Sequence, residues 1–313
     1  MTPDLVLGLD GGGSKTELAI ADVRGTVLAF ERGIGLDPLA DPEWEATLRQ
    51  LLGRSAGLLP FTRRCALALP AYGEAAAVSA RQADVVAHAL TAEHILLNDV
   101  HAEQIGAFAG GPGTLLLAGT GSMVWSVDRD GRSSRVGGWG ETFGDEGSGF
   151  WVGREALGVA TRGLDGRADA AAFASGLLER IDVGPDGLLA WCWSLPNRRA
   201  GIAALATLVD AMAAGGDAQA ADLLARAADH LVAHVRAAGG KARGELPWSF
   251  AGGLFNSDTV SLRVTAQLGP PRAPTLPPVG GAILHAARAA GWDAGPDWVA
   301  HLAEGLIRNV IRH

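Results

Sequence analysis

The sequence predicts an α/β fold divided into two domains, and three observations support that prediction. Apolar, strand-like runs alternate with segments of helical spacing, which is typical of α/β architecture. The chain has 313 residues, enough for two domains that each bury a core. A strand–turn–strand unit near the start also recurs about a hundred residues later, as a duplicated domain would require.

The first half is expected to begin with three strands in hairpins and to continue with strand–helix units. Successive elements are predicted as strands at 4–9, 17–22 and 26–31, a helix within 43–58, a strand at 65–69, a helix at 75–90, a strand at 95–97 and a helix at 101–108. The loop Gly110–Gly113 is the best domain boundary in the chain. We therefore expect one domain over residues 1–112 and a second over 113–313.

The second half is expected to restart with the same hairpin and then to become mostly helical. Its predicted elements are a Gly-rich segment at 137–149 that opens a helix at 150–162, helices over 168–239, a strand at 249–251, and helices at 280–290 and about 297–311. The last helix could also pack back on the first domain.

Composition excludes several classes of protein. The apolar content of 48% and charged content of 19% are globular values, and a net charge of −8 gives no basic surface for nucleic acid. No run approaches the ~20 apolar residues of a membrane span, and the start lacks a signal-peptide core, so we expect a cytoplasmic protein. Cys65 and Cys192 are isolated, which argues for two free thiols and against a disulfide framework or a zinc site.

The duplicated unit carries a glycine turn with two hydroxyl residues. The first copy runs from Leu5 to Thr16 and the second from Thr114 to Ser122. A shift of 106 positions places Gly13 on Gly119, Ser14 on Thr120, Thr16 on Ser122, Asp22 on Asp128 and Gly25 on Gly131. Successive N–H groups in such turns form anion-binding nests, so two facing turns would clamp a polyphosphate. The structural alternative is a plain hairpin with a Gly-rich tip.

Carboxylates stand beside these turns. Asp10 ends the first strand and could hold Mg²⁺ through its waters. Asp99 follows a buried strand and could accept the proton of an attacking hydroxyl, or could simply cap the next helix. In the loop at 137–149, Asp145 and Glu146 are candidate acceptors for a polar ligand, and Trp139 and Trp151 are candidate apolar faces for a sugar ring.

Two better-known phosphate motifs do not fit this chain. Residues 8–16 nearly spell a P-loop, but Ser14 stands where the lysine should follow the second glycine, and a strand-like pattern follows instead of a helix. A dinucleotide fingerprint is also absent from this stretch.

Taken in order, these motifs resemble the N-acetylglucosamine kinase and glucosamine kinase group of the BadF/BadG/BcrA/BcrD ATPase family, which has the actin–hexokinase–Hsp70 superfold. The resemblance covers essentially the whole chain and is most specific at residues 137–149. It implies two related ribonuclease-H-like domains with an interdomain cleft. It also implies an ATP- and Mg²⁺-dependent kinase that phosphorylates an amino sugar at its 6-hydroxyl, acts as a homodimer, and binds neither nucleic acid nor membrane.

The resemblance also assigns roles to individual residues. The catalytic base is Asp99. The ATP-binding residues are Asp10 (which assists Mg²⁺), Gly11, Gly12, Gly13, Ser14, Thr16, Gly119, Thr120, Gly121, Ser122, and Gly252 and Gly253 at the adenosine loop. The sugar-binding residues are Asp37, Asp99, Thr120, Gly121, Asp145, Glu146 and Gly149.

Two departures from the family pattern bear on specificity and on alternatives. Asp37 stands where the family often has Asn, and a carboxylate there accepts but cannot donate hydrogen bonds, which could favour the free ammonium of glucosamine over an acetamido group. The loop Pro70–Gly73 replaces a Ser-bearing loop of the family.

A BadF-type ATPase that acts on a protein partner stays open as an alternative, although its relatives use paired cysteines for an iron–sulfur cluster. A non-catalytic sugar sensor is the third possibility.

Overall fold

The computed structural model describes residues 4–13, 15–39, 41–241 and 246–312. The chain forms two compact units. Unit 1 comprises Met1–Pro112 and Ala273–His313, and unit 2 comprises Gly113–Arg272. The first junction coincides with the boundary expected at residue 112. The chain beyond residue 272 belongs with unit 1, whereas the sequence placed it in the second domain and allowed only the last helix to pack back on the first.

Unit 1 contains a five-stranded mixed sheet in the order β3-β2-β1-β4-β5. Its strands are β1 (Leu5–Gly11), β2 (Lys15–Asp22), β3 (Val27–Ile34), β4 (Thr62–Leu69) and β5 (Glu93–Asn98). The first three strands form antiparallel hairpins, while β4 lies parallel to β1 and β5 parallel to β4. The carboxyl ends of β1, β4 and β5 therefore share one edge of the sheet, where ligands collect in such folds.

Alternation along the strands separates two cores in unit 1. On one face, Leu5, Leu7 and Leu9 of β1 pack with α1 (Trp44–Arg54) and α2 (Ala76–Ala89). On the other face, Val6 and its neighbours pack with α3 (Asp99–Ala107), α10 (Pro278–Ala289) and α11 (Pro296–Arg312). Side chains that alternate in this way fill both faces of a sheet.

Close packing of α10 against β1 explains why the last forty residues join unit 1. A Cβ added at Gly8 would lie 2.6 Å from both the backbone nitrogen and Cγ1 of Ile283. Only glycine at this strand position allows the helix to approach so closely. The Pro-rich stretch before α10 is also bonded to unit 1, because the backbone N–H of Leu276 donates to the Gly106 carbonyl at 3.0 Å.

Unit 2 contains a four-stranded sheet in the order β8-β7-β6-β9, surrounded by helices. Its strands are β6 (Gly113–Ala118), β7 (Ser122–Val127), β8 (Ser133–Gly137) and β9 (Trp248–Ala251). Its helices are α4 (Gly149–Leu164), α5 (Ala171–Arg180), α6 (Leu188–Ser194), α7 (Arg198–Ala214), α8 (Ala218–Lys241) and α9 (Asp258–Leu268). The antiparallel β6–β7–β8 meander and the parallel β6–β9 pair repeat the pattern of unit 1.

The duplication extends to the far turn of each meander. Asp22 Oδ1 accepts the backbone N–H groups of residues 24 and 26, both at 2.9 Å, and Asp128 Oδ1 accepts those of residues 130 and 132 at the same distances. Gly25 and Gly131 follow with φ angles of +81° and +78°. The same residue types therefore build the same turn in both units.

The glycine turns themselves differ by one residue. In unit 1 the hairpin register pairs Gly11 with Thr16, whereas in unit 2 it pairs Ala118 with Ser122. The strands after the turn thus match at a shift of 106, but the strands before it match at 107. Asp10 consequently corresponds to Leu117 in the second copy.

Among the described residues, none of the helices combines the length and apolarity needed to traverse a lipid bilayer.

Candidate active site

The first glycine turn, in unit 1, is closed by backbone hydrogen bonds. The N–H of Gly12 donates to the Lys15 carbonyl at 2.9 Å, and the N–H of Leu36 donates to the Gly12 carbonyl at 3.0 Å. Gly13 is exposed, and Ser14, a predicted phosphate contact, lies outside the described residues. The turn therefore presents exposed main chain at the end of β1.

The second hydroxyl residue of each turn is buried and already bonded. Thr16 Oγ1 donates to the Ile34 carbonyl at 2.8 Å, and Ser122 Oγ donates to the Glu146 carbonyl at 2.8 Å. Both side chains tie a hairpin to the segment that follows it. This parallel geometry gives Thr16 and Ser122 a structural use that the sequence pattern did not predict.

Three carboxyl groups of unit 1 interact at the edge of the sheet where β1 and β5 end. Burial raises the pKa of Asp10 well above 3.8, and the charges of Glu103, Asp99 and Glu17 raise it further. Burial and the charge of Asp99 raise the pKa of Glu103 to about 7. Lys15, exposed on the adjacent turn, opposes the shifts of Asp10 and Glu103. A cation bound here would relieve this repulsion.

Asp99 has the properties of a proton acceptor. Burial raises its pKa to about 7, the backbone N–H of Val100 acts against that shift, and the charges of Glu74 and Asp37 add to it. A carboxyl with this pKa is matched to base chemistry near neutral pH. Asn98 and Asp99 share the helix cap, because Asn98 Oδ1 accepts the N–H of Val100 at 3.1 Å and Asp99 Oδ1 accepts the same N–H at 3.0 Å, so the capping alternative for Asp99 also has structural support.

Two further carboxylates lie close enough to Asp99 to raise its pKa. Asp37 belongs to the loop after β3, and its Oδ1 accepts the N–H of Leu39 at 2.9 Å. Glu74 follows the Pro70–Gly73 loop, and its Oε1 accepts a hydrogen bond from Asn98 Nδ2 at 3.2 Å. The side chain of Asn98 therefore links this loop to the strand end that carries Asp99.

The second glycine turn, in unit 2, is bonded to the start of α4. The N–H of Gly119 donates to the Gly121 carbonyl at 2.9 Å, the N–H of Gly149 to the Gly119 carbonyl at 2.8 Å, and the N–H of Phe150 to the Thr120 carbonyl at 3.2 Å. Thr120 itself is exposed. The turn, Thr120 and the first residues of α4 thus form one connected element, which brings Thr120, Gly121 and Gly149 together.

Asp145 lies against this turn. Its side chain is only 3% exposed, its backbone is left-handed with φ +56°, and its Oδ2 accepts a hydrogen bond from Arg199 Nη2 at 2.6 Å. Its Oδ1 lies 3.4 Å from the backbone nitrogen of Ser122. Glu146 is more exposed and faces His234 at 3.7 Å, and burial lowers the pKa of that histidine although Glu146 opposes the shift.

The two tryptophans proposed as sugar platforms have different environments. Trp139 is 63% exposed, with the Arg135 guanidinium 5.0 Å from its ring centroid. Trp151 is only 5% exposed and packs edge-on to His230 at 4.9 Å. The prediction for Trp151 is wrong, because it is the third residue of α4 and points into the core of unit 2.

The predicted adenosine loop follows β9. Gly252 has φ +95°, and a Cβ there would lie 2.3 Å from the Ala118 carbonyl oxygen, so this position requires glycine. Gly253 has no atom within 4 Å of such a Cβ. Gly252 therefore fixes the backbone next to β6, while Gly253 leaves open space for a ligand.

Sequence reasoning missed three residues of these groups. Glu103 lies one helical turn after Asp99, so the i, i+4 spacing was a usable signal. Glu74 and Arg199 gave no signal, because their partners are distant in sequence and only the folded loops bring them together.

The acidic residues at the ends of β1 and β5 are suited to holding Mg²⁺. Among the described residues, groups of three or more His, Cys, Asp or Glu arranged to hold a metal are absent. A single carboxylate, Asp10, in a strongly negative environment suits an ion that keeps most of its waters and takes its other ligands from phosphate oxygens.

The fold and its comparison with solved structures define the class of protein. Each unit has an antiparallel meander extended by parallel strands and flanked by helices, which is the ribonuclease-H-like architecture of actin- and hexokinase-type proteins. This confirms the predicted class of two related ribonuclease-H-like α/β domains. The chain belongs to the BadF/BadG/BcrA/BcrD ATPase family, which matches residues 7–286.

Individual relatives are sugar kinases by name. The chain is 27% identical over 240 residues to the N-acetylmuramic acid/N-acetylglucosamine kinase of Clostridium acetobutylicum, covering 74% of this chain and 78% of that one. It is 23% identical over 210 residues to the N-acetyl-D-glucosamine kinase of Dictyostelium discoideum, covering 62% and 66%. A structure from Chromobacterium violaceum, provisionally described as an N-acetylglucosamine kinase, matches with TM-score 0.73 and 26% identity over 91% of this chain and 99% of that one.

Proposed function

We propose that this protein transfers the γ-phosphoryl group of ATP to the 6-hydroxyl of an amino sugar. The observation that carries the proposal is Asp99, a carboxylate at the junction of β5 and α3 whose pKa is raised to about 7. It is supported by membership of an ATPase family and by relatives named as N-acetylglucosamine kinases.

In this mechanism the chain positions groups and stabilises charge, because phosphoryl transfer asks little covalent work of a protein. Asp99 accepts the proton of the sugar hydroxyl. Backbone N–H groups of the two glycine turns bind phosphate oxygens, and Thr120 and Asp145 bind sugar hydroxyls. Mg²⁺, held through water by Asp10, would neutralise charge on the phosphates.

The ATPase alternative lacks support from the cysteines. Cys65 is fully buried in β4 among leucines of the unit 1 core, and burial raises the pKa of its thiol to about 11. An iron–sulfur cluster needs several cysteine thiolates brought together, and among the described residues no such group is present. We therefore favour the kinase.

A coupled assay for ADP release tests the reaction class and the acceptor together. Glucosamine, N-acetylglucosamine, N-acetylmuramic acid, N-acetylmannosamine and glucose are offered separately with ATP and Mg²⁺. At least one amino sugar should be turned over well above the rate of ATP hydrolysis alone. The 6-deoxy analogue of the best sugar should give no turnover, and product NMR should show a 6-phosphate. Sugar-independent ATPase activity with every acceptor would refute the kinase.

Asp37 is the residue that we expect to influence which amino sugar is preferred. Its negative charge reaches Asp99, so it lies near the proposed acceptor. A cationic 2-ammonium group would gain from such a neighbour, whereas an acetamido group would not. If Asp37 selects glucosamine, Asp37→Asn should reduce kcat/KM for glucosamine more than for N-acetylglucosamine. A wild-type enzyme that strongly prefers the acetylated sugar would remove this part of the proposal.

A further inference from the structure

Arg199 makes the most direct contact with the proposed sugar-binding residue Asp145. Nη2 of Arg199 donates to Asp145 Oδ2 at 2.6 Å, while Nε lies 2.8 Å from Glu141 Oε2 in an ion pair without a hydrogen bond. The Asp145 side chain is 3% exposed, whereas Arg199 and Glu141 are 38% and 43% exposed. The guanidinium therefore joins a buried carboxylate to a surface one.

This ion pair packs on the second glycine turn. A Cβ added at Gly121 would lie 2.7 Å from Arg199 Nη2 and 3.0 Å from Asp145 Oδ2. The backbone of the turn, the carboxylate and the guanidinium are thus in contact. A displacement of Asp145 would therefore disturb the backbone of the turn at Gly121, next to Thr120.

Arg199 is held by a helix and not by a loop. It is the second residue of α7, whose first turn is capped by Asn197 Oδ1 accepting the N–H of Ala200 at 2.9 Å. The apolar face of α7 packs in the same core as α4 through Ala206, Val209 and Met212. Groups fixed on packed helices hold a binding geometry better than groups on loops.

We propose that Arg199 is a positioning residue, which orients the Asp145 carboxylate so that Oδ1 accepts a sugar hydroxyl. The inference rests on the proposed function. Oδ2 is occupied by the short bond to Arg199, while within the described part of the chain Oδ1 has only the 3.4 Å contact to Ser122 and retains accepting capacity. Arginine suits this task better than lysine because its planar fork contacts two carboxylates at once.

The test measures steady-state constants for Arg199→Ala, Arg199→Lys and the matched control Glu141→Gln. For Arg199→Ala we expect the KM of the sugar to rise about tenfold, with the KM of ATP and kcat within about twofold of wild type. Lysine can still pair with Asp145, so Arg199→Lys should recover part of the loss. Glu141→Gln should change the sugar KM less than about threefold, because exposed ion pairs are weak.

A double-mutant cycle shows whether Arg199 acts through Asp145. Adding Arg199→Ala to Asp145→Asn should raise the sugar KM less than twofold further. Full additivity, or a sugar KM in Arg199→Ala within twofold of wild type, would overturn the inference.

Thermal denaturation confirms folding, and Arg199→Lys carries the comparison if Arg199→Ala does not fold. A wild type that phosphorylates no sugar rejects the proposed function and the inference together, whereas an active wild type with an unaffected Arg199→Ala rejects the inference alone.

Discussion

Substitution of Asp99 by Asn should have opposite effects on turnover and on stability. The side chain changes little in size, but it loses the ability to ionise and to accept a proton. In the proposed reaction that loss removes the base. In the folded protein it also removes a partly buried carboxylate that desolvation and the charges of Glu74 and Asp37 make costly to ionise.

The expected loss of activity follows from the role of a general base. Such groups contribute roughly 10²–10⁴ in rate, so kcat of the Asp99→Asn variant should fall by about that factor while ATP still binds. In the wild type, kcat/KM should fall about tenfold for each pH unit below the pKa of about 7, because protonated Asp99 cannot accept a proton.

The expected gain in stability follows from the sign of the pKa shift. Because the pKa of Asp99 is raised on folding, the folded state binds more protons than the unfolded state between about pH 4 and pH 7. Wild-type stability is therefore lost as pH rises through this window. The shift from 3.8 to about 7 is roughly three pH units, or about 4 kcal/mol as an upper bound once Asp99 is fully ionised. The variant lacks this cost.

The assay compares urea unfolding of wild type and Asp99→Asn at pH 5, 6, 7 and 8, with kcat measured on the same preparations. The stability difference should move in favour of the variant as pH rises and level off above pH 7. Asp84→Asn, at an exposed aspartate of α2, controls for the loss of one negative charge and should leave turnover unchanged. Near-normal turnover in Asp99→Asn would rule out Asp99 as the general base. A stability difference that does not change with pH would refute the claim that the pKa of Asp99 is raised on folding.

Three further predictions concern the metal, the acidic group and the second unit. Asp10→Asn should abolish the rise in melting temperature that Mg²⁺ and ATP give the wild type, and an undiminished rise would exclude Asp10 as the metal-bearing group. Glu103→Gln should be more stable than wild type at pH 8 but not at pH 5, measured by urea unfolding, because burial and Asp99 raise the pKa of Glu103 to about 7. Gly252→Ala should reduce soluble yield and melting temperature sharply, because its Cβ would meet the Ala118 carbonyl at 2.3 Å, whereas the control Gly253→Ala has open space and should be tolerated.

Much of the fold could be predicted because local sequence determines local geometry. The turn formed by Asp22 and Gly25 recurs at Asp128 and Gly131, since an Asx-type carboxylate and a left-handed glycine specify that turn wherever they occur. Most strand positions followed from short apolar runs, whereas β8 was not predicted as a separate strand. The membership of α10 in unit 1 could not be predicted, because it depends on the close approach of Ile283 to Gly8 across more than 270 residues of chain.

The residues around the turns could be predicted only in part, for a related reason. Glycine turns and strand-end carboxylates have local signatures, so the sequence could nominate Asp10 and Asp99 as candidates. The side chains that set their charge or orientation act through space. Arg199 meets Asp145 across 54 positions, and no periodicity connects them. The hydrogen bond of Thr16 could not be predicted either, because its acceptor is the Ile34 carbonyl, a backbone group that every residue type has.

Both hairpins keep the buried hydroxyl residue that fixes them, but only the first has an acidic side chain, Asp10, in the strand before the turn. Thr16 and Ser122 are both buried and donate to a carbonyl at 2.8 Å, so each hairpin is fixed to its unit in the same way. With those hydroxyls occupied, we expect a phosphate at either turn to be held by main-chain N–H groups, with the exposed Thr120 hydroxyl as a further donor in unit 2. Main-chain groups tolerate changes in the surrounding side chains. That tolerance explains how the ladder position of Asp10 in unit 1 can be Leu117 in unit 2 without loss of the turn. We therefore propose that each copy of the turn binds an anion through its backbone, whereas the metal-binding role that we assign to Asp10 is confined to unit 1.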